Sequence, residues 1–214
     1  MIHCALIVGM ASEARIARRS GLSIAIGGGT PQGARVAAEQ LLQEGARSLV
    51  SFGLAGGLDP ALTPGDLLAA ETVLSGGRLF PCDAALVRRL GVRSVPLLLA
   101  GDAIVATARE KARLYAESGA AAVDLESGAV AELATEAGIP FAVLRAICDG
   151  ADRNLPRAAM EGLDSAGRIA PFKLVAALLR DPAQIFGLIA LGRDAARARS
   201  ALLKAAPGLA ALGR

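Results

Sequence analysis

The chain has 214 residues, 53% of them hydrophobic with alanine counted, and a formal charge of +3, a size that suits one globular domain with a buried core and is cramped for two. Aromatic residues make up 3% and tryptophan is absent, so the stacking platforms that single strands need are scarce and no nucleic acid is expected as a partner. Cys4, Cys82 and Cys148 are few, odd in number and widely spaced, which gives neither a disulfide framework nor a CxxC pair and points to a reducing, cytoplasmic compartment.

Near the start of the chain Cys4-Ala5-Leu6-Ile7-Val8 is an apolar run of strand length, which reads as a buried strand and not as a secretory leader. Further short apolar runs follow at 23–26, 49–52, 67–74, 95–99, 121–123 and 141–147, separated by stretches of helical pattern. Alternation of this kind predicts an α/β fold: a three-layer α/β/α arrangement around a central mixed, largely parallel sheet. The segment 32–45 sorts into apolar and polar sides before Gly45, and 126–137 does so before Gly138 and Pro140. After about residue 155 the strand pattern stops, so the reading is a single domain, 1–214, with an α/β core over 1–155 and a helical C-terminal part over 156–214, broken at Pro171 and Pro182. No apolar run reaches the roughly 18 residues of a membrane span. The tail alternates Arg180, Arg193, Arg197, Arg199, Lys204 and Arg214 with Ile185, Phe186, Leu188, Ile189, Leu191 and Leu202. A solvated outer helix is the plain reading of it, and weak contact with a membrane surface or a partner the sharper one.

Ligands of α/β sheets collect where strands end. Three runs end in glycine-rich loops: Gly9-Met10-Ala11-Ser12-Glu13, Gly27-Gly28-Gly29-Thr30-Pro31-Gln32-Gly33 and Gly53-Leu54-Ala55-Gly56-Gly57. Backbone N–H groups in such loops can approach an anion or a sugar without a Cβ in the way, and Gly28, Gly29 and Thr30, with Arg15 or Arg35 beside them, are candidates for holding phosphate. Neither a P-loop nor a dinucleotide fingerprint is complete, because Ala34-Arg35 stands where a P-loop requires Lys then Ser or Thr. Two later junctions place carboxylates at strand ends: Val123-Asp124-Leu125-Glu126-Ser127-Gly128-Ala129 and Ala146-Ile147-Cys148-Asp149-Gly150-Ala151-Asp152. Singly, each acid reads as readily as a helix cap or an Asx turn. The lone histidine, His3, precedes the first strand and serves neither a His-dependent nucleophile nor a zinc site, so no metal is expected and carboxylate chemistry remains.

Taken together, Gly9 to Glu13, Phe52-Gly53-Leu54-Ala55-Gly56-Gly57-Leu58, Gly65-Asp66, Gly101-Asp102-Ala103-Ile104-Val105, the Glu126 junction and Arg145-Ala146-Ile147-Cys148-Asp149-Gly150-Ala151-Asp152 resemble, in order and spacing, the nucleoside phosphorylase and methylthioadenosine/adenosylhomocysteine nucleosidase superfamily. The resemblance covers about residues 1–155, and the short middle region and arginine-bearing tail are most similar to the hopanoid-associated phosphorylases. It implies cleavage of the N-glycosidic bond of a purine nucleoside, adenosylhopane being the expected substrate, by phosphorolysis or hydrolysis. No cofactor is implied beyond phosphate as a co-substrate, and the assembly is expected to be a homo-oligomer in the cytoplasm, peripheral to the inner membrane surface if the tail touches lipid. By resemblance Asp149 meets purine N7, Glu126 the ribose hydroxyls, and Glu13 takes the place of the carboxylate that activates water. Leu54, Ala55, Gly56 and Leu125 line the substrate, while Ile104 and Val105 border the base, Val105 through its backbone. Leu54 replaces a small polar residue and Ile104 a stacking phenylalanine common in the nucleosidases, so the pocket is expected to be more apolar. An oxidoreductase on the same kind of sheet requires a glycine fingerprint that is missing, and a catalytically silent binding protein has no need of all three carboxylates.

Overall fold

The structure is a computed structural model and describes residues 4–156, 159 and 184–213. His3, and Pro171, Arg180, Asp181, Pro182 and Arg214 of the tail, lie outside the described residues. In chain order the elements are β1 (Cys4–Val8), α1 (Ala11–Ala17), β2 (Ser23–Ile26), α2 (Pro31–Gln43), β3 (Ser48–Gly57), β4 (Leu67–Ser75), β5 (Arg78–Pro81), α3 (Ala84–Leu90), β6 (Arg93–Ala100), α4 (Ala108–Ser118), β7 (Ala122–Asp124), α5 (Ser127–Glu136), β8 (Phe141–Asp149) and α6 (Gln184–Ala205), with a closing 3-10 segment, Ala206–Gly213. The mixed, largely parallel sheet with helices on both faces is the fold that the alternation of runs predicts.

Every residue of β1 is buried, as a strand covered on both faces requires. It pairs in parallel with β2 on one side and with the first half of β3 on the other. β3 runs in parallel with β8 along its opposite edge, while its last two residues, Gly56 and Gly57, pair antiparallel with β7. β4 joins β8 antiparallel and β6 in parallel, and β6 joins β7. The strands β3, β8, β4, β6 and β7 therefore return to β3 and close a ring, a feature that no single run of sequence discloses. Because β1 leaves the edge of β3 after Ser51 and β7 reaches it only at Gly56, a gap opens at 52–55 between the two. That split is where the candidate site lies.

One face of the sheet, with Leu49, Val143 and Ile147, is covered by α2 and α5 through Ala34, Ala38, Leu41, Val130 and Ala134. The spacing of those α2 residues is that of a single helical stripe. The other face, with Val50, Phe52, Leu144 and Ala146, is covered by α1, α3, α6 and the closing segment through Ala14, Leu86, Ala198, Leu202, Leu209 and Leu212. The described part of the tail is thus more than a solvated outer helix: Asp194, Ala198 and Leu202 of α6 are buried. Among the described residues no helix is long and apolar enough to cross a membrane.

One expectation from sequence is corrected and one strand is added. Gly53-Leu54-Ala55-Gly56-Gly57 is not a loop but the second half of β3, held in extended form by the ladder to β8 despite the low strand preference of glycine. The edge strand β5 has no counterpart among the expected runs, because only Phe80 of its four residues is buried and the pattern is too thin to read.

Candidate active site

Three carboxylates converge on the split. Glu13 sits in the first turn of α1, where its Oε2 accepts the Met10 N–H at 2.9 Å and so closes the helix N-terminus. Its Oε1 accepts the Leu54 N–H at 3.0 Å, a donor left over where the β3 edge has neither β1 nor β7 beside it. The side chain is held from both ends and buried. A Cβ added at Gly53 would stand 2.8 Å from Glu13 Oε1, so the glycine is what admits the carboxylate against the strand.

Glu126 lies between β7 and α5, the position of a helix cap, yet the capping is done by Asp124: its Oδ1 accepts the N–H groups of Glu126 and Ser127 at 3.2 and 3.1 Å. This frees the Glu126 carboxylate, whose Oε1 accepts the Gly29 N–H at 3.1 Å. Gly28 and Gly29 both have φ of +75°, a turn that side chains other than glycine rarely adopt and that aims the Gly29 N–H at Glu126. Gly9 makes room on the other side, since a Cβ there would lie 2.8 Å from Glu126 Oε2.

Beneath both acids is Arg145 of β8, 1% exposed. Its Nε donates to Asp124 Oδ2 and its Nη2 to the hydroxyls of Ser51 and Ser127, at 2.6 and 3.2 Å. Burial pushes Glu13 above the usual carboxylate range, opposed by the Met10 N–H and by the charge of Arg145. Burial likewise raises Glu126 to about 7; Arg145 opposes the rise, and the negative charges of Glu13 and Asp124 add to it. The negative charge of Glu13 thus favours the protonated form of Glu126.

Asp149 closes β8. The register with β3 slips by one residue there, Ile147 lying opposite Ala55 and Asp149 opposite Gly56, and such a bulge re-aims the side chain out of the regular alternation. An added Cβ at Gly56 would meet Asp149 Oδ2 at 3.5 Å. Gly53 and Gly56, three residues apart on β3, therefore mark where Glu13 and Asp149 approach one strand. The Cys148 thiol, pushed up by burial and by Asp149, donates to Asp149 Oδ1 at 2.9 Å, and Lys111 Nζ donates to Oδ2.

The other expected residues divide. Leu54 and Leu125 are half-buried, and Ile104 is 44% exposed in the loop before α4. The side chains of Ala55 and Val105 belong to core clusters, so only their backbones could face a ligand. Arg15 is exposed, and Thr30 caps α2 by accepting the Gly33 N–H at 3.1 Å. Arg35 is paired with Glu39 and Glu136. Sequence reasoning passed over Lys111, Arg145 and Asp124 as working residues. The signal for Lys111 is in the sequence: it stands three and four residues before Leu114 and Tyr115, on what is otherwise the apolar side of α4.

The family model described as Phosphorylase superfamily matches residues 15–84 and 84–180, and the chain belongs to that superfamily. A 5′-methylthioadenosine/S-adenosylhomocysteine nucleosidase of Mycobacterium tuberculosis (strain CDC 1551 / Oshkosh) is 31% identical over 157 residues, taking in 50% of this chain and 62% of that protein. A protein of the same name from Treponema pallidum (strain Nichols) is 43% identical over 51 residues, 24% of this chain and 19% of its own length. The chain thus spans less than two thirds of the curated relatives it matches. Among solved structures, the nucleosidase of that name from Neisseria meningitidis, in complex with methylthio-immucillin-A, superposes with a TM-score of 0.69 at 19% identity, over 97% of this chain and 98% of that one. Futalosine hydrolase of Helicobacter pylori strain 26695 gives 0.67 at 17% identity, over 95% and 96%. At those identities the likeness is one of fold.

Proposed function

We propose that the protein cleaves the N-glycosidic bond of a purine nucleoside by hydrolysis, with Asp149 at the base, Glu126 at the ribose hydroxyls and Glu13 activating water. The observation that carries this reading is the facing pair Glu13 and Glu126. As the bond from C1′ to N9 breaks, positive charge grows on the sugar and negative charge on the purine, and the site stabilises both ends. In this reading Glu13 and Glu126 serve the sugar side, and Asp149, beside Gly56 three residues further along β3, serves the base. Glu13, fixed by two backbone N–H groups, takes the proton of a water that attacks C1′.

Hydrolysis is favoured over phosphorolysis by the charge of the same space. A phosphate dianion there would face two carboxylates, while Arg145 is spent on Asp124 and Arg35 on Glu39 and Glu136. Gly28, Gly29, Thr30 and Arg15 stay as the candidates for phosphate if the anion binds. The similarity to nucleosidases supports adenine as the base. The exposed Ile104 supports an apolar 5′ substituent, for which adenosylhopane is the candidate, and exposed Ile185, Phe186 and Ile189 at the start of α6 support contact with the membrane surface where such a lipid would lie. A homo-oligomer in the cytoplasm completes the reading.

The test is base release from adenosine, methylthioadenosine and a nucleoside with a long alkyl 5′ substituent, by the protein and its E13Q and D149N variants. Free adenine from at least one substrate, lost about 10²- to 10⁴-fold in either variant, is the expected result. Full activity in both variants, or no release by the parent from any substrate, would overturn the proposal.

A further inference from the structure

α4 is polar along most of its length, and the one residue it buries is a lysine, Lys111, with 0% of its surface exposed. An ammonium in such a place forfeits its hydration, and an apolar residue of similar length would cover the sheet without that cost. Its Nζ donates to Asp149 Oδ2 and, at 2.8 Å, to the carbonyl oxygen of Gly150. The charged and titratable groups facing this pair are Cys148 and Asp149 of β8 and, from α1, Glu13, whose charge reaches Cys148 as that of Lys111 does. The helix is placed firmly for the purpose. Thr107 caps it, the Ala108 N–H donates to Asn154 Oδ1 at 2.8 Å, and the Leu155 N–H donates to the Ala106 carbonyl at 2.8 Å. The loop after Asp149 and the loop before α4 are thereby clasped.

We infer that Lys111 is a positioning residue that supplies Asp149 with the proton it passes to the departing purine. The inference rests on the proposed glycosidic cleavage. Asp149, ionised in the resting ion pair, first takes a proton from Lys111 Nζ along the existing hydrogen bond, and as the bond from C1′ to N9 breaks and its electron pair passes into the purine, Asp149 hands that proton to N7. Lys111 is left as a neutral amine and regains a proton from solvent once the base has left, while Glu13 returns to solvent the proton it took from the attacking water. Between turnovers the ion pair keeps the Asp149 carboxylate fixed and loaded with a donor, so the site has no need of a carboxylic acid that stays protonated in the resting state.

The experiment compares two substrates in the parent, K111M and K111R: a purine nucleoside, whose leaving group requires protonation, and 4-nitrophenyl riboside, whose leaving group does not. Arginine keeps the positive charge beside Asp149 but does not give up a proton. Both variants are expected to lose about 10²- to 10⁴-fold in kcat on the purine nucleoside with little change in KM, and to lose a far smaller factor on the nitrophenyl riboside. Parental purine turnover in K111R, or equal loss on both substrates in a variant that melts cooperatively, overturns the relay. Should neither variant fold, nitrogen-15 NMR of the lysine Nζ groups in the parent bound to a tight nucleoside analogue that carries a proton at N7 decides: a neutral Lys111 amine is expected, and an ammonium contradicts the relay. A parent that cleaves the nitrophenyl riboside but no purine nucleoside would sink the functional reading itself, a result distinct from any of these.

Discussion

The glycines of the split define what the carboxylates can do, because each marks a place where an acid comes within contact of backbone. At Gly53 a methyl group would overlap Glu13 Oε1. G53A is therefore expected to displace the carboxylate and cut base release at least 10-fold, at a stability cost of about 1–3 kcal/mol, read by thermal melts beside kinetics; unchanged kinetics would mean that Glu13 does not work from that position. Glu126 carries a pH signature. Its folded value of about 7 stands above the ordinary 4.5, so between those pH values the folded chain binds more protons than the unfolded one and stability falls as pH rises through the window. The loss amounts to about 3 kcal/mol at most. Urea titrations at pH 5 and pH 8 should show that slope in the parent and a smaller one in E126Q. Activity should fall as pH drops and Glu13 is neutralised, with an apparent midpoint above 4.5 that belongs to the coupled pair.

Elements place those residues, and here sequence and structure part company in an instructive way. β1 and β8 are legible because buried runs of apolar residues have few other readings, and the carboxylates Glu13, Glu126 and Asp149 stand at their ends, or at the end of β7, where motif order puts them. The ladder that turns Gly53-Leu54-Ala55-Gly56-Gly57 into strand is nonlocal: it depends on β8, some ninety residues later along the chain by its register, and local preference argues against it. The roles of Asp124 and Arg145 are hidden for the same reason, since they are defined by each other across β7 and β8. Arg145, the cation beneath the acids, is expected to be indispensable: R145M leaves Asp124 buried and unpaired, which costs about 3–5 kcal/mol. Chemical denaturation checks this, and a loss under 1 kcal/mol would show that Asp124 finds its compensation from Ser127 and backbone N–H groups alone.

At the scale of the molecule, the closure of β3, β8, β4, β6 and β7 into a ring leaves one interrupted edge, and the site occupies the interruption. The arginine-bearing tail, read from sequence as a solvated helix, supports the strand behind that site: Leu202, Leu209 and Leu212 pack with Phe52, Leu144 and Ala146. Its charges hid this, since Arg193, Arg197 and Lys204 are exposed while the few small and apolar residues between them do the packing. L202A should cost about 2–5 kcal/mol and lower the melting temperature without altering KM at a temperature where the variant is folded. A change in KM with unchanged stability would place Leu202 in contact with substrate instead. The central claim is that water, not phosphate, attacks the sugar of a purine nucleoside in the space between Glu13 and Glu126. The most direct measurement is turnover in oxygen-18 water with phosphate present, followed by mass analysis of the sugar. One heavy oxygen on a free sugar, formed at the same rate with and without phosphate, is the predicted result; a sugar 1-phosphate that appears only with phosphate would contradict it.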